Sequence, residues 1–112
     1  MTPSILIIED DLNFCYHAEN VVGEKRFRSC TAGSSSRAKK QLSARSYDLI
    51  LSDLRLPDQD GIHLLAWLRN QSCTTPFIIM TSYAEIQTAV QAIKQGASNY
   101  IAKPVQPDEL LK

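Results

Sequence analysis

The sequence predicts a doubly wound α/β domain on a parallel sheet, and two patterns predict it. Five short strand-like runs recur along the 112 residues, with helix-like segments between them. Three of the runs, ILII, LIL and FIIM, are apolar on consecutive residues instead of alternating. Alternation marks a strand with one wet face, whereas an unbroken run marks a strand covered on both faces. Strand and helix taking turns is the pattern of βα units with right-handed crossovers.

The strands are expected at residues 4–8, 27–31, 48–52, 77–81 and 99–102. Phe14, Ala18, Val21 and Val22 fall on one helical face. Ala38 and Leu42 make a weaker face after a Gly33-Ser34-Ser35-Ser36 turn. Ile62, Leu65 and Leu68 repeat the spacing around Trp67, and Ile86, Ala89, Val90 and Ile93 give the full i, i+3, i+4, i+7 stripe. Gly96 stands where a helix C-cap belongs. Pro107, Asp108 and Glu109 suit the first turn of one more helix. The sequence ends at Lys112, and a single turn is too short to be stable alone. The expectation is therefore one domain over residues 1–112, its C-terminal helix incomplete and a downstream effector domain absent. No internal repeat argues for a solenoid. The helix lengths fit an open five-stranded sheet of flavodoxin-like order 2-1-3-4-5.

Composition narrows the classes of function. Twelve Lys plus Arg balance twelve Asp plus Glu, so no overall field draws the chain to nucleic acid or to an anionic membrane. Direct nucleic-acid contact is not expected. The apolar runs are far shorter than the ~20 residues that span a bilayer. The N-terminus lacks a basic segment followed by an apolar one. Cys15, Cys30 and Cys73 are odd in number and dispersed, which fits free thiols and a cytoplasmic setting. Lys25, Arg26, Arg28, Arg37, Lys39, Lys40 and Arg45 read as a solvated basic face, with a docking surface for an acidic partner as the alternative.

In an open α/β sheet, sites form outside the carboxyl ends of the strands. Those ends carry Glu9, Asp10 and Asp11, then Asp53, then Thr81 and Ser82, then Lys103 followed by Pro104. In the order 2-1-3-4-5, strands one, three, four and five are neighbours and these groups converge. Each alone has a plain reading: Asp53 as a turn residue, Thr81 as a strand former, Lys103 as a solvated lysine, Tyr100 as strand core. Together they conflict with stability. Carboxylates ~5 Å apart at an effective dielectric of ~20 repel by about 3 kcal/mol per pair. A hard divalent cation gives a reason for Glu9, Asp10 and Asp53 to meet, because Mg²⁺ takes oxygen ligands from one or two carboxylates plus phosphate. Lys103 and Thr81 can bind phosphate oxygens. A carboxylate can then act as a nucleophile and carry an aspartyl phosphate, a chemistry that needs mainly positioning and charge neutralisation. Asp58 and Asp60 read as turn and helix-cap residues, Asp11 as a first-helix cap, and His17 and His63 as surface residues.

ILIIEDD, DLRLPDQDG, FIIMTSYAE and NYIAKP, in that order over the whole chain, resemble the receiver domains of two-component response regulators. DLRLPDQDG with TSYAEIQTAVQAIKQGA is most similar to receivers of nitrogen-regulation-type transcriptional activators. The resemblance implies that Asp53 is the phosphoacceptor and that Glu9 and Asp10 join it in holding Mg²⁺, with the backbone carbonyl of Arg55 as a further ligand. It implies that Thr81 is the switch hydroxyl, Lys103 the phosphate-binding lysine set by a structural Pro104, and Tyr100 the switch aromatic. Arg55 and Tyr83 take the positions that tune phosphate lifetime. The donor would be a histidine kinase or phosphotransfer protein. The output would be control of transcription through an effector domain, with homodimerisation on phosphorylation. Such a chain is a signalling domain and not an enzyme acting on other substrates. An aspartyl-phosphate phosphatase has two Asp one residue apart after its first strand, whereas these acids are adjacent. A flavodoxin must cradle phosphate in that first loop, which Glu9, Asp10 and Asp11 would repel.

Overall fold

The computed structural model describes residues 3–10 and 28–102. The expected first helix, with Asp11, Cys15 and His17, lies outside the described residues, as do Lys103, Pro104 and the last helix. The strands are β1 Ser4–Ile8, β2 Arg28–Ala32, β3 Leu49–Asp53, β4 Phe77–Thr81 and β5 Asn99–Ala102. They form one parallel sheet in the order β2-β1-β3-β4-β5, the flavodoxin-like order predicted. Helices α1 Ser35–Ala44 and α2 Gly61–Asn70 follow β2 and β3, and α3 Ile86–Lys94 follows β4 through a 3₁₀ turn, Tyr83–Glu85.

Two strands, β2 and β3, are displaced by one residue at each end from the sequence reading. β3 runs through Asp53, which pairs with Met80, so the ladder outlasts the apolar run that suggested it. At its other end the Asp48 carboxylate accepts the Ser4 backbone N–H at 2.7 Å. β2 reaches Ala32, which pairs with Ile8. Ser35 and Ser36 are helical instead of turn residues, because Ser34 caps α1 by accepting from the Arg37 N–H.

Strand side chains alternate between faces. On one face Leu6, Ile8, Ile50, Phe77 and Ile79 pack into one core cluster with Leu64, Leu65 and Leu68 of α2. On the other, Leu51 and Met80 are buried with Ile78 and Ile101 against them. Ile5 and Ile7 are buried as well. Burial on both faces is what unbroken apolar strands require, and each such side chain contributes about 1.5–3 kcal/mol. The stripe of α3 differs from expectation. Its buried residues are Ala89 and Ala92, while Ile93 is exposed. Small side chains let the helix backbone approach the sheet, and the larger Ile86 and Val90 flank that seam half-buried. Gly96 ends α3 as predicted: it takes φ +115°, its N–H bonds the Ile93 carbonyl, and the Ala97 N–H bonds that of Ala92. Cys30 and Cys73 are free thiols.

The loop between β3 and α2 is tied down by its acids. Asp60 caps α2, its Oδ1 accepting the His63 backbone N–H at 2.9 Å and lying 2.7 Å from the His63 ring Nδ1. Asp58 reaches another helix, accepting the N–H groups of Ser35 and Ser36 at the start of α1 at 2.9 and 3.0 Å. Burial pushes the Asp60 carboxyl up, but the hydrogen bonds and charge of His63, with Arg55, hold it below the usual range. The Ser35 N–H does the same for Asp58, against slight burial, helped by Ser36 and Lys39. A depressed folded-state value means stability present above the unfolded carboxylate range and lost as pH falls through the folded value. The double substitution Asp58→Asn/Asp60→Asn keeps one accepting oxygen at each position, gives up one of the two N–H bonds that Asp58 accepts, and removes the titration. It is expected to lose less stability than wild type between about pH 5 and pH 2, read from urea midpoints against pH. Parallel acid limbs would count against these two acids as the source.

Candidate functional site

The topology builds the site. Because β1 and β3 are neighbours with Ile8 beside Ser52, the next residues, Glu9 and Asp53, emerge side by side. The Glu9 N–H is fixed by the Ala32 carbonyl at 3.0 Å. Carboxylate oxygens of Glu9, Asp10 and Asp53 lie within 4.8 Å of one another. Glu9 is 2% exposed and Asp53 8%, whereas Asp10 is open to solvent. Two buried carboxylates and one exposed make a pocket floor with an open side. Three hard oxygen donors at this spacing fit a hard divalent cation and suit a soft metal poorly.

Thr81 ends the adjacent β4 and is 1% exposed, its hydroxyl donating to the Ser82 carbonyl at 3.2 Å. Its strand neighbour is Ala102, the residue before Lys103, and Lys103 lies outside the described residues. Tyr100 is half-buried on β5 beside Ile79, packed against the main core cluster. The structure thus brings together Glu9, Asp10 and Asp53, puts Thr81 on the next strand but one from Glu9, and keeps Tyr100 deeper in β5.

Arg55 does more than sequence reasoning assigned it. Its backbone N–H points to Asp53 Oδ1 at a long 3.4 Å. Its guanidinium crosses to Glu85, with Nε 2.7 Å and Nη2 2.5 Å from one oxygen, Oε2. Gly61 was also missed. A Cβ there would stand 2.6 Å from the Asp53 carbonyl oxygen and 3.2 Å from Ser52 Oγ, so only glycine lets α2 start against the end of β3. The signal was present in the sequence as a glycine directly after the capping Asp60. A cavity of about 210 Å³ lined by Tyr47, Trp67 and Cys73 shares no residue with the acidic cluster.

A parallel sheet in this order, with buried acids just after β1 and at the end of β3 and a buried hydroxyl at the end of β4, is the arrangement of a receiver. Residues 5–112 match the family model of the response regulator receiver domain, and the chain belongs to that family. It is a receiver domain of the two-component response-regulator class, similar to those of NtrC-type regulators. The transcriptional regulatory protein ZraR of Escherichia coli O157:H7 is 34% identical over 106 residues, covering 95% of this chain and 24% of that protein. The DNA-binding transcriptional regulator NtrC of Proteus hauseri is 32% identical over 108 residues, covering 96% and 23%. A two-component response regulator from Clostridium difficile superposes with a TM-score of 0.91 at 30% identity, over 98% of this chain and 90% of that one. This chain therefore spans about a quarter of the length of the regulators ZraR and NtrC. Among the described residues, no helix is long and apolar enough to cross a membrane.

Proposed function

We propose that Asp53 accepts a phosphoryl group from a phosphohistidine of a histidine kinase or phosphotransfer protein. One observation carries this reading: a buried strand-end carboxylate held beside two other acids, an arrangement costly to a fold that does not use it. An Asp53 oxygen attacks phosphorus, the O–P bond forms, the P–N bond breaks, and the departing imidazole takes up a proton. Glu9, Asp10 and Asp53, with the Arg55 carbonyl, are the residues to hold Mg²⁺, which when bound neutralises charge on carboxylate and phosphoryl oxygens. Asp53 is positioned for the attack by its place in β3. Thr81 and Lys103, the latter set by Pro104, are assigned to the phosphoryl oxygens. Tyr100 follows Thr81, changing the surface formed by α3 and β5. Such a switch needs two states close in energy, one favoured by the phosphoryl group. The bulk of Arg55 at its position favours a long-lived phosphate. Control of an effector domain, and through it of transcription, is supported by the length and names of the relatives. Phosphorylation is also assigned the pairing of two copies.

The test is intact-mass spectrometry after incubation with acetyl phosphate. The wild-type chain is expected to gain one phosphoryl group with Mg²⁺ and none without it, and Asp53→Asn none in either case. A folded wild-type sample that gains nothing would favour a receiver fold used only for interaction.

A further inference from the structure

Helix α3 begins differently from the other two described helices. Ser34 caps α1 and Asp60 caps α2 through side-chain hydrogen bonds. Glu85 occupies the N-cap position of α3 and makes no such bond. Its carboxylate turns instead to Arg55, on the loop that follows Asp53. Both guanidinium donors converge on a single oxygen, and the two side chains are 62% and 29% exposed. A pair that engages a single carboxylate oxygen and is this open to water is weakly held and readily exchanged for a better anion.

A better anion is the one Asp53 is proposed to receive. A phosphoryl group carries close to two negative charges on three acceptor oxygens, and a guanidinium fork matches it bidentately. Arg55 is two residues along from Asp53, its N–H already directed at Oδ1. The far side of the same loop is anchored to α1: Asp58 accepts from Ser35 and Ser36, and Gln59 Oε1 accepts from Lys39 Nζ and Ser35 Oγ. The loop backbone is thus held on one side, and the Arg55 side chain is the part left to move.

We propose that Arg55 is an ion-pair exchange element: Glu85 holds its guanidinium while Asp53 is unmodified, and a phosphoryl group on Asp53 draws it away and releases the start of α3. The inference rests on Asp53 being the acceptor. Glu85 is then a positioning residue, and the uncapped first turn of α3 is the element it restrains. The route is separate from the Thr81 and Tyr100 side of the site, since it reaches α3 from the β3 loop.

The experiment follows the amide resonances of residues 86–94 by NMR in wild type and Glu85→Gln, before and after phosphorylation with acetyl phosphate and Mg²⁺, with intact mass measured on each sample. Unphosphorylated Glu85→Gln is expected to have these resonances displaced along the line wild type follows on phosphorylation. Its further displacement on phosphorylation should be less than half that of wild type. Raising salt from about 0.1 M to about 1 M, which screens an exposed pair, should move unphosphorylated wild type along that line and leave Glu85→Gln where it is. Changes confined to the immediate neighbours of position 85, with a full phosphorylation response, would overturn the exchange. A wild-type sample without the mass gain would instead remove the acceptor reading, and the exchange with it.

Discussion

Asp53→Asn is expected to melt higher than wild type when no divalent cation is present, while losing all phosphoryl uptake. Removing one acid from a cluster of like charges relieves their repulsion and can raise stability. Three carboxylates with oxygens within 4.8 Å repel one another. At an effective dielectric of ~20 each full pair costs about 3 kcal/mol before any relief from neighbouring groups. The burial of Glu9 and Asp53 keeps water from screening the pair well. Asn has the shape of Asp and no charge, so the substitution removes repulsion without leaving a hole. A net gain of about 1 kcal/mol corresponds to about 4–8 °C in a domain of this size. Added Mg²⁺ should reverse the ranking. A ligand at 100 times its Kd stabilises the state it binds by about 2.7 kcal/mol, and wild type has the fuller donor set. Thermal unfolding of both proteins with chelator and with excess Mg²⁺ reads all four values. An unchanged or lower melting temperature for the variant in chelator would show that the repulsion is already relieved inside the protein.

Much of this site was legible because position in a parallel sheet is a strong constraint. Unbroken apolar runs located β1, β3 and β4, and the rule that sites gather at carboxyl ends picked out Glu9, Asp53 and Thr81. Strand order did the rest: with β1 beside β3, residues 44 apart in sequence, such as Glu9 and Asp53, had to meet. Family resemblance supplied roles that spacing could not, for Tyr100 and Lys103 above all, since a half-buried tyrosine on an edge strand is ordinary.

What escaped the sequence were choices among several local partners. Asp58 sits in a loop rich in acids and was read as a turn residue, yet it caps α1, more than twenty residues away. Glu85 stands where a side-chain cap belongs, and only the fold shows that Arg55 takes it instead. The α3 stripe misled for a related reason. Hydrophobicity weights Ile86 and Ile93, but close packing on a sheet selects for small side chains, so Ala89 and Ala92 face inward. In each case the pattern located the element correctly and packing decided which of its residues counted.

Gly61→Ala is the second substitution expected to have a large effect, and it links the fold to the site. The new methyl would stand 2.6 Å from the Asp53 carbonyl oxygen, a distance real Cβ atoms do not adopt. That oxygen has little freedom. Asp53 is paired in register with Met80, the Leu54 N–H bonds the Met80 carbonyl at 2.9 Å, and the Gly61 N–H bonds the Leu54 carbonyl at 2.7 Å. Either α2 withdraws from the sheet or the end of β3 shifts. Overpacking of this kind costs about 1–3 kcal/mol, and the better helix propensity of alanine returns at most about 1 kcal/mol. The melting temperature should fall by several degrees. Phosphoryl uptake should slow further than stability alone explains, because the residue displaced is the proposed nucleophile, and misplacement by about 1 Å can cost ~100-fold in rate. Gly33→Ala supplies the control, since nothing lies within 4 Å of the atom it adds. If Gly61→Ala matched Gly33→Ala in both melting temperature and rate of uptake, the contact between the start of α2 and the end of β3 would not be what sets the position of Asp53.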